Sequence, residues 1–150
     1  MSFLLVFCAL LLTSTVGATG LSQREASLLS VVNGVRSAHD LHPLAVDGRL
    51  RRAARSHSAT LLRLDVLTHD SFNERLRRSG APGAHFGENL AWGTGHYASA
   101  QAIVRAWLAS PGHRANLLRP GFIRIGIGAR AGRFAGHSGA VVVTAAFAGR

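Results

Sequence analysis

The side chains best suited to chemistry in this chain are histidines and carboxylates in short polar fragments, among them His69, Glu88 and His113. Neutral imidazole is the commonest protein ligand for zinc. Two imidazoles with one carboxylate and an open position give the ligand count of a catalytic-type zinc site. A carboxylate beside an imidazole can instead fix its tautomer and raise its pKa for general base catalysis. The spacing leaves both chemistries open, because these residues are far apart in sequence and can meet only in the fold.

Two motifs that mark common hydrolases are missing from the sequence. It contains neither a Gly-x-Ser-x-Gly nucleophile elbow nor a His-Glu-x-x-His zinc helix. Ser71 or Ser110 could lie beside a histidine, but a catalytic triad is recognised by geometry and not by proximity along the chain. A hydrolase is therefore the alternative to a binding function.

Helical periodicity predicts two helices in the first half of the chain. The first spans Ser22 to Ala38, and Ser22 with Glu25 forms a capping box at its start. The second begins after an N-cap at Asp47 and runs to about residue 64. His57 lies on its apolar face, where a core histidine that donates to a backbone carbonyl is expected, outside any site.

Shorter elements follow. Ser71 and Glu74 predict a second capping box, for a short helix that Gly80 closes in a left-handed conformation. A strand is predicted over 85–93 and a helix over 98–110, with Pro111 ending or restarting that helix. Residues 122–129 and 140–148 are β-branched, aromatic or glycine, which predicts two antiparallel strands. Trp92 and Trp107 are expected to anchor the core.

Four fragments, in this order and spacing, carry a resemblance to a known family. They are Val-Asn-Gly-Val-Arg at 32–36, Leu-Thr-His-Asp-Ser-Phe at 67–72, Gly-Glu-Asn-Leu-Ala at 87–91 and Trp-Leu-Ala-Ser-Pro-Gly-His-Arg-Ala-Asn-Leu-Leu at 107–118. Together they resemble the CAP superfamily of cysteine-rich secretory, antigen 5 and pathogenesis-related proteins (SCP-like domains), in its cysteine-free bacterial branch. The resemblance covers the chain from residue 22 onward. It implies an α+β fold, a three-layer α-β-α sandwich with a central antiparallel sheet and an open cleft.

The resemblance also implies which residues line the cleft. By motif match they are His69, Glu88 and His113, with Ser110 at a position where many eukaryotic members carry a glutamate. His69 and His113 are the candidate ligands of zinc or another divalent metal. His85 is close enough to Glu88 in sequence to line the same cleft. As a residue of an open cleft, Glu88 is expected to serve ligand chemistry more than the core.

The resemblance favours a binding function over catalysis. The cleft would hold a divalent metal and a small apolar or lipid-like ligand, a partner protein or a cell-envelope component. The alternative is an extracellular hydrolase in which His69 or His113 acts as general base on a metal-bound or free water.

Composition limits the domain count and the partners. A chain of 150 residues with 47% hydrophobic and 16% charged residues fits one globular domain, over 22–150. The formal charge of +10 comes from arginines alone, which suits polyanions. The arginines are scattered on presumed helix faces without a nucleic-acid motif, so a solvated basic surface is the preferred interpretation and nucleic acid is not an expected partner.

The first 18 residues are expected to form a secretory signal peptide. An apolar run from Phe3 to Leu12 is too short to span a bilayer, and small residues at 16–18 resemble a cleavage site. No Lys or Arg precedes the run. The only cysteine, Cys8, lies inside it, so a secreted, mature chain has no disulfide.

We predict that the exported protein starts near Thr19 and is soluble without its first eighteen residues, because no segment after them is long and apolar enough to span a bilayer. Mass spectrometry of the protein recovered from the culture medium measures the N-terminus. Recovery in the membrane fraction with residues 1–18 attached would instead show an anchor.

Overall fold

A computed structural model describes residues 20–150, so the predicted signal peptide lies outside the described residues. The helices and strands, in chain order, are α1 (Gln23–Ser37), β1 (Ala45–Val46), α2 (Gly48–Leu64), α3 (Phe72–Ser79), β2 (His85–Gly93), a 3₁₀ helix (Gly95–Ala98), α4 (Ala100–Ala109), α5 (Pro111–Leu117), β3 (Phe122–Phe134) and β4 (His137–Gly149). No helix among residues 20–150 has the length and apolar character needed to cross a membrane.

The long strands form the antiparallel sheet that the resemblance implies. The strand order is β1-β3-β4-β2, and β4 pairs antiparallel with both β3 and β2. The two-residue β1 adds a short parallel pairing with β3, which the sequence did not predict. β3 and β4 extend past their predicted ends because the glycine-rich connection continues the ladder. Ala135 and Gly136, both at positive φ, then form the turn.

Helices cover both faces of this sheet, so the α-β-α layering and the α+β class are confirmed. On one face α1, α4 and α5 pack around the largest apolar cluster, which includes Val32, Trp107, Phe122 and Phe147. On the other face α2 and α3 cover two smaller clusters, centred on Leu50 and Leu61. β2 is an edge strand, so side chains from both layers can meet around it.

The backbone of helix α2 packs directly against the backbone of strand β3. A Cβ atom on Gly126 would lie 2.1 Å from the carbonyl carbon of Leu50, and one on Gly128 would lie 2.3 Å from the amide nitrogen of Arg55. Each of these two glycines therefore leaves the space that the backbone of α2 occupies. Ser58 of α2 lies 2.9 Å from the carbonyl oxygen of Gly128, which adds a buried hydrogen bond to this contact.

Of the two predicted capping boxes, the one at the start of α1 is present and the one at the start of α3 is not. The capping box of α1 is present, with the amide of Ser22 donating to Glu25 and the amide of Glu25 donating to Ser22. The predicted capping box of α3 is wrong. Ser71 adopts a left-handed conformation without a side-chain cap bond, whereas a capping serine needs an extended backbone. The carboxylate of Glu74 accepts from Arg77 and Arg78 instead.

The two tryptophans also differ. Trp107 is buried, and its indole nitrogen donates to the carbonyl of Leu90, which confirms it as a core anchor. Trp92 is 36% exposed and packs beside Phe134 and His137 near the tip of the β3–β4 hairpin, so its assignment to the core is wrong. Its position near the end of an edge strand explains the difference.

We predict that Gly128→Ala lowers the free energy of unfolding by about 3 kcal/mol, since the new methyl group meets helix backbone that no rotamer change can move. Gly34→Ala is the matched control. Nothing lies within 4 Å of a Cβ at Gly34, which sits inside α1. This control should raise stability by about 0.5–1 kcal/mol. Urea denaturation measures both, and a Gly128→Ala protein as stable as wild type would contradict the close packing.

Candidate functional site

Glu88 is the centre of the candidate site. It lies in β2 and is only 6% exposed. Arg75 of α3 holds its carboxylate with two nitrogens, at 2.8 Å and 3.1 Å, and Nδ1 of His69 lies 2.9 Å from the same group. Because an ionised carboxylate can only accept hydrogen bonds, Nδ1 of His69 is the donor in this pair. Glu88 is thus a buried, fully engaged carboxylate, whereas the sequence predicted one that lines an open cleft.

His57 stands behind this pair. Its Nε2 lies 3.0 Å from the carbonyl oxygen of Thr68, which confirms the predicted backbone partner. The same nitrogen lies 4.0 Å from Glu88, so the structure places His57 at the site from which the sequence interpretation excluded it. Burial, and then the charge of Arg75, lower the pKa of His57 below its ordinary value. The ring is therefore neutral at neutral pH.

A pair of asparagines positions His113 relative to Glu88. Asn89 follows Glu88 in β2, and its side-chain amide donates to the carbonyl of His113 at 2.9 Å. Asn116 of α5 donates to the carbonyl of Glu88 and to the side chain of Asn89. A Cβ on Gly87 would lie 2.7 Å from the side-chain oxygen of Asn116, so a larger residue here would displace the side chain that holds Asn89. The spacing of Gly-Glu-Asn in the strand and His-x-x-Asn in the helix follows from this contact.

His113 faces His69 across the edge of the sheet. Their ring centroids are 6.4 Å apart and the ring planes are inclined at 45°. His69 comes from the connection between α2 and α3 and its side chain is 55% exposed, whereas His113 is half-buried on α5. Burial, and then the nearby His69, lower the pKa of His113. The structure thus brings His69, Glu88 and His113 together.

Two further residues were predicted near this centre, Ser110 and His85. Ser110 is the N-cap residue of α5, three positions before His113, and makes no side-chain capping bond. His85 is in the same strand as Glu88 but three residues away. Because successive side chains of a strand alternate between faces, the two lie on opposite faces of the sheet, and the expectation that His85 lines the same cleft stays a prediction.

Arg75 is a partner of Glu88 that the sequence did not predict. It lies in an arginine-rich helix, beside Arg77 and Arg78, which pair with Glu74 on the exposed side. Helical spacing gives Arg75 a different face from its neighbours, but the sequence holds no signal that the face meets a buried carboxylate of β2.

The histidine pair, and not the full trio, is the part of this site that could hold a metal. Both carboxylate oxygens of Glu88 already accept hydrogen bonds from Arg75 or His69. Within residues 20–150, no group of three or more His, Cys, Asp or Glu side chains has the geometry to hold a metal ion. A metal ion at this site would therefore have two imidazole ligands, one of them oriented by the carboxylate of Glu88.

Comparison with protein families gives a match over most of the chain. The model of the cysteine-rich secretory protein family, CAP, matches residues 29–145. Protein YkwD of Bacillus subtilis (strain 168) is 30% identical over 121 residues, which cover 77% of this chain and 46% of YkwD. The chain therefore spans less than half the length of that relative.

Solved structures give the same fold. An extracellular protein with an SCP domain from Bacillus anthracis superposes with a TM-score of 0.70 at 28% identity, over 85% of this chain and 40% of that chain. An outer surface protein of Borrelia burgdorferi superposes with a TM-score of 0.67 at 23% identity, over 82% of this chain and 90% of that chain. The Borrelia likeness bears on the fold alone.

We predict that Glu88→Ala lowers the free energy of unfolding by about 3 kcal/mol, because it leaves the guanidinium of Arg75 without its carboxylate in a largely buried setting. The matched control is Glu74→Ala, whose carboxylate pairs with two arginines on the exposed side of α3. An exposed pair contributes about 0–1 kcal/mol, so this control should be mild.

Chemical denaturation of both variants, and of Arg75→Ala with the double variant, measures the coupling between Glu88 and Arg75. If Glu88→Ala is as mild as Glu74→Ala, the carboxylate does not support the fold and the sequence-based expectation was right.

Proposed function

The chain belongs to the CAP family, the cysteine-rich secretory protein family, and on this basis we propose that it is an extracellular binding protein with a divalent-metal site at His69 and His113. The ligand of the adjoining surface is a small apolar or lipid-like molecule, a partner protein or a cell-envelope component. The hydrogen bond between His69 and Glu88 is the observation on which the metal site rests.

This hydrogen bond determines which nitrogen of His69 is free. With Nδ1 donating to Glu88, the lone pair of the neutral ring is on Nε2, the nitrogen that a metal would bind. A carboxylate in this position also makes the imidazole a stronger ligand and fixes its orientation. Glu88 therefore acts as a positioning residue for His69.

His113 supplies the second ligand. Its lowered pKa keeps the ring neutral at neutral pH, as metal binding requires. The ring centroids lie 6.4 Å apart, and an ion shared by two imidazoles lies about 2 Å from each ligand nitrogen. Zinc fits two imidazoles best, with its other positions left to water or to a bound ligand.

An exposed apolar segment beside His69 supports an apolar ligand. Leu64 ends α2, and Val66 and Leu67 follow in the connection before His69; they are 53%, 43% and 40% exposed. Large apolar side chains grouped on a surface mark interaction sites. Their exposure, close in sequence to His69, supports the proposal of an apolar ligand.

Two observations support an extracellular location. The sequence begins with the apolar, signal-like residues 1–18, and the related SCP-domain protein of Bacillus anthracis is described as extracellular. The proposed mature chain lacks cysteine, so its fold requires no disulfide.

A hydrolase is the second candidate, and the same pair of residues favours it. A carboxylate that accepts from Nδ1 of a histidine leaves Nε2 free to take a proton, which is the arrangement of a general base. Hydrolysis of an ester or peptide panel by the pure protein, lost in His69→Ala and retained in His137→Ala, would favour the enzyme over the binding protein.

We predict that zinc binds the wild-type protein at neutral pH and that His69→Ala and His113→Ala each weaken binding at least about tenfold, because one ion loses one of two protein ligands. His137→Ala, at the distant β3–β4 turn, is the control and should bind as wild type does. Binding should weaken as the pH falls below about 6.5, since protons then compete for the imidazoles. The lowered pKa of His113 shifts its own loss of metal binding to a more acidic pH than that of an ordinary histidine.

Calorimetric titration with zinc at several pH values makes these measurements. A wild-type protein that binds no zinc at neutral pH, or a single histidine variant that binds as tightly as wild type, would disprove the shared site.

A further inference from the structure

A concave surface rich in arginine lies between α2 and α3. This arginine groove has a volume of about 400 Å³ and is lined by Arg49, Arg52, Ala53, Ser56, Arg75, Arg78 and Ser79. Four of these seven side chains are guanidinium groups, and none of the seven is acidic. The sequence had suggested scattered arginines, because the residues come from two helices that only the fold brings together.

The positive charge of the groove is only partly neutralised. Arg75 pairs with Glu88, and Arg78 pairs with Glu74. Arg49 donates to the carbonyl of Gly80, which carries no net charge. Arg52 makes no hydrogen bond or ion pair within the part of the chain that the structure describes. Two guanidinium groups therefore face the groove without a carboxylate partner.

The chemistry of the lining matches a phosphate group. The planar fork of a guanidinium donates two parallel hydrogen bonds to phosphate, and a concave arginine cluster concentrates positive potential where an anion enters. Ser56 and Ser79 add hydroxyl groups to the same lining. We infer that the arginine groove binds phosphate groups of a linear phosphorylated polymer outside the cell.

Shape and composition separate this ligand from a membrane and from nucleic acid. A bilayer surface is bound by exposed basic and apolar side chains together, whereas this groove is concave and its only apolar lining residue is Ala53. Single-stranded nucleic acid is held by aromatic side chains that stack on bases, and the lining has no aromatic residue. A narrow chain of phosphates fits both constraints.

This site goes beyond the proposed metal site, although Arg75 contributes to both. Zinc binding depends on His69 and His113, which do not line the groove. The two proposals can therefore fail independently, and variants at Arg49 and Arg52 test the groove without touching Glu88.

The probe is linear inorganic polyphosphate. It is titrated by calorimetry, at several salt concentrations, into the proposed mature protein, which comprises residues 19–150. We expect binding by wild type, and weakening of about tenfold or more in the double variant Arg49→Gln/Arg52→Gln. The dependence of affinity on salt should also become less steep, because fewer phosphate contacts are made. Arg105→Gln/Arg133→Gln is the charge-matched control, since both arginines are exposed and lie on α4 and β3, outside the groove. It should change affinity less than about threefold.

Because Arg49 also ties α2 to the end of α3, thermal unfolding of each variant is measured, and Arg52→Gln alone serves as the variant without a lost internal contact. Single-stranded oligothymidylate and vesicles of phosphatidylglycerol in phosphatidylcholine are the comparison ligands. Equal weakening in the groove variant and its control, tighter binding of the oligonucleotide than of polyphosphate, or binding of vesicles but not of polyphosphate would each overturn the proposal.

Discussion

The direct contact between the backbone of α2 and the backbone of β3 determines how the layer formed by α2 and α3 packs on the sheet. Gly126 and Gly128 leave no side chain between helix and strand, and buried Ser58 lies within hydrogen-bonding distance of Gly128 and of Thr144 in β4. A larger residue at either glycine would push α2 away from the sheet. Because side chains of α2 reach toward β2 from this depth, the position of the helix also sets the position of the site.

His57 shows this dependence. It precedes Ser58 in α2, and its ring lies between Thr68, which leads into His69, and the carboxylate of Glu88. By its contact with Thr68, the neutral ring of His57 holds the connection between α2 and α3 that contains His69. On the opposite side of β2, the pairing of Asn89 with Asn116 fixes α5 against the same strand. An edge strand held by both layers is what allows residues from separate layers to meet at one carboxylate.

The sequence predicts much of the fold because its signals are local. Ser22 and Glu25 have the spacing of a capping box, Asp47 caps α2, and Gly80 closes α3, as observed. Ser71 has the same local signal but lies in a left-handed turn, since the chain must bring His69 to Glu88 just before the helix starts. Motif resemblance selected His69, Glu88 and His113, which lie together. Arg75 and His57 were not predicted as site residues, because their roles depend on contacts between elements, and spacing along one helix does not indicate such contacts.

Together with burial, Arg75 explains how His57 stays neutral beside a buried carboxylate. A lone carboxylate would favour the protonated form of each imidazole beside it, and the attraction of Glu88 does raise the pKa of His57. Burial and the charge of Arg75 act in the opposite direction and outweigh it, so the pKa of His57 stays below its ordinary value. The guanidinium therefore does more than stabilise the fold. It offsets the field of the carboxylate, while leaving Glu88 free to orient His69 through a hydrogen bond, and it does so from the wall of the arginine groove.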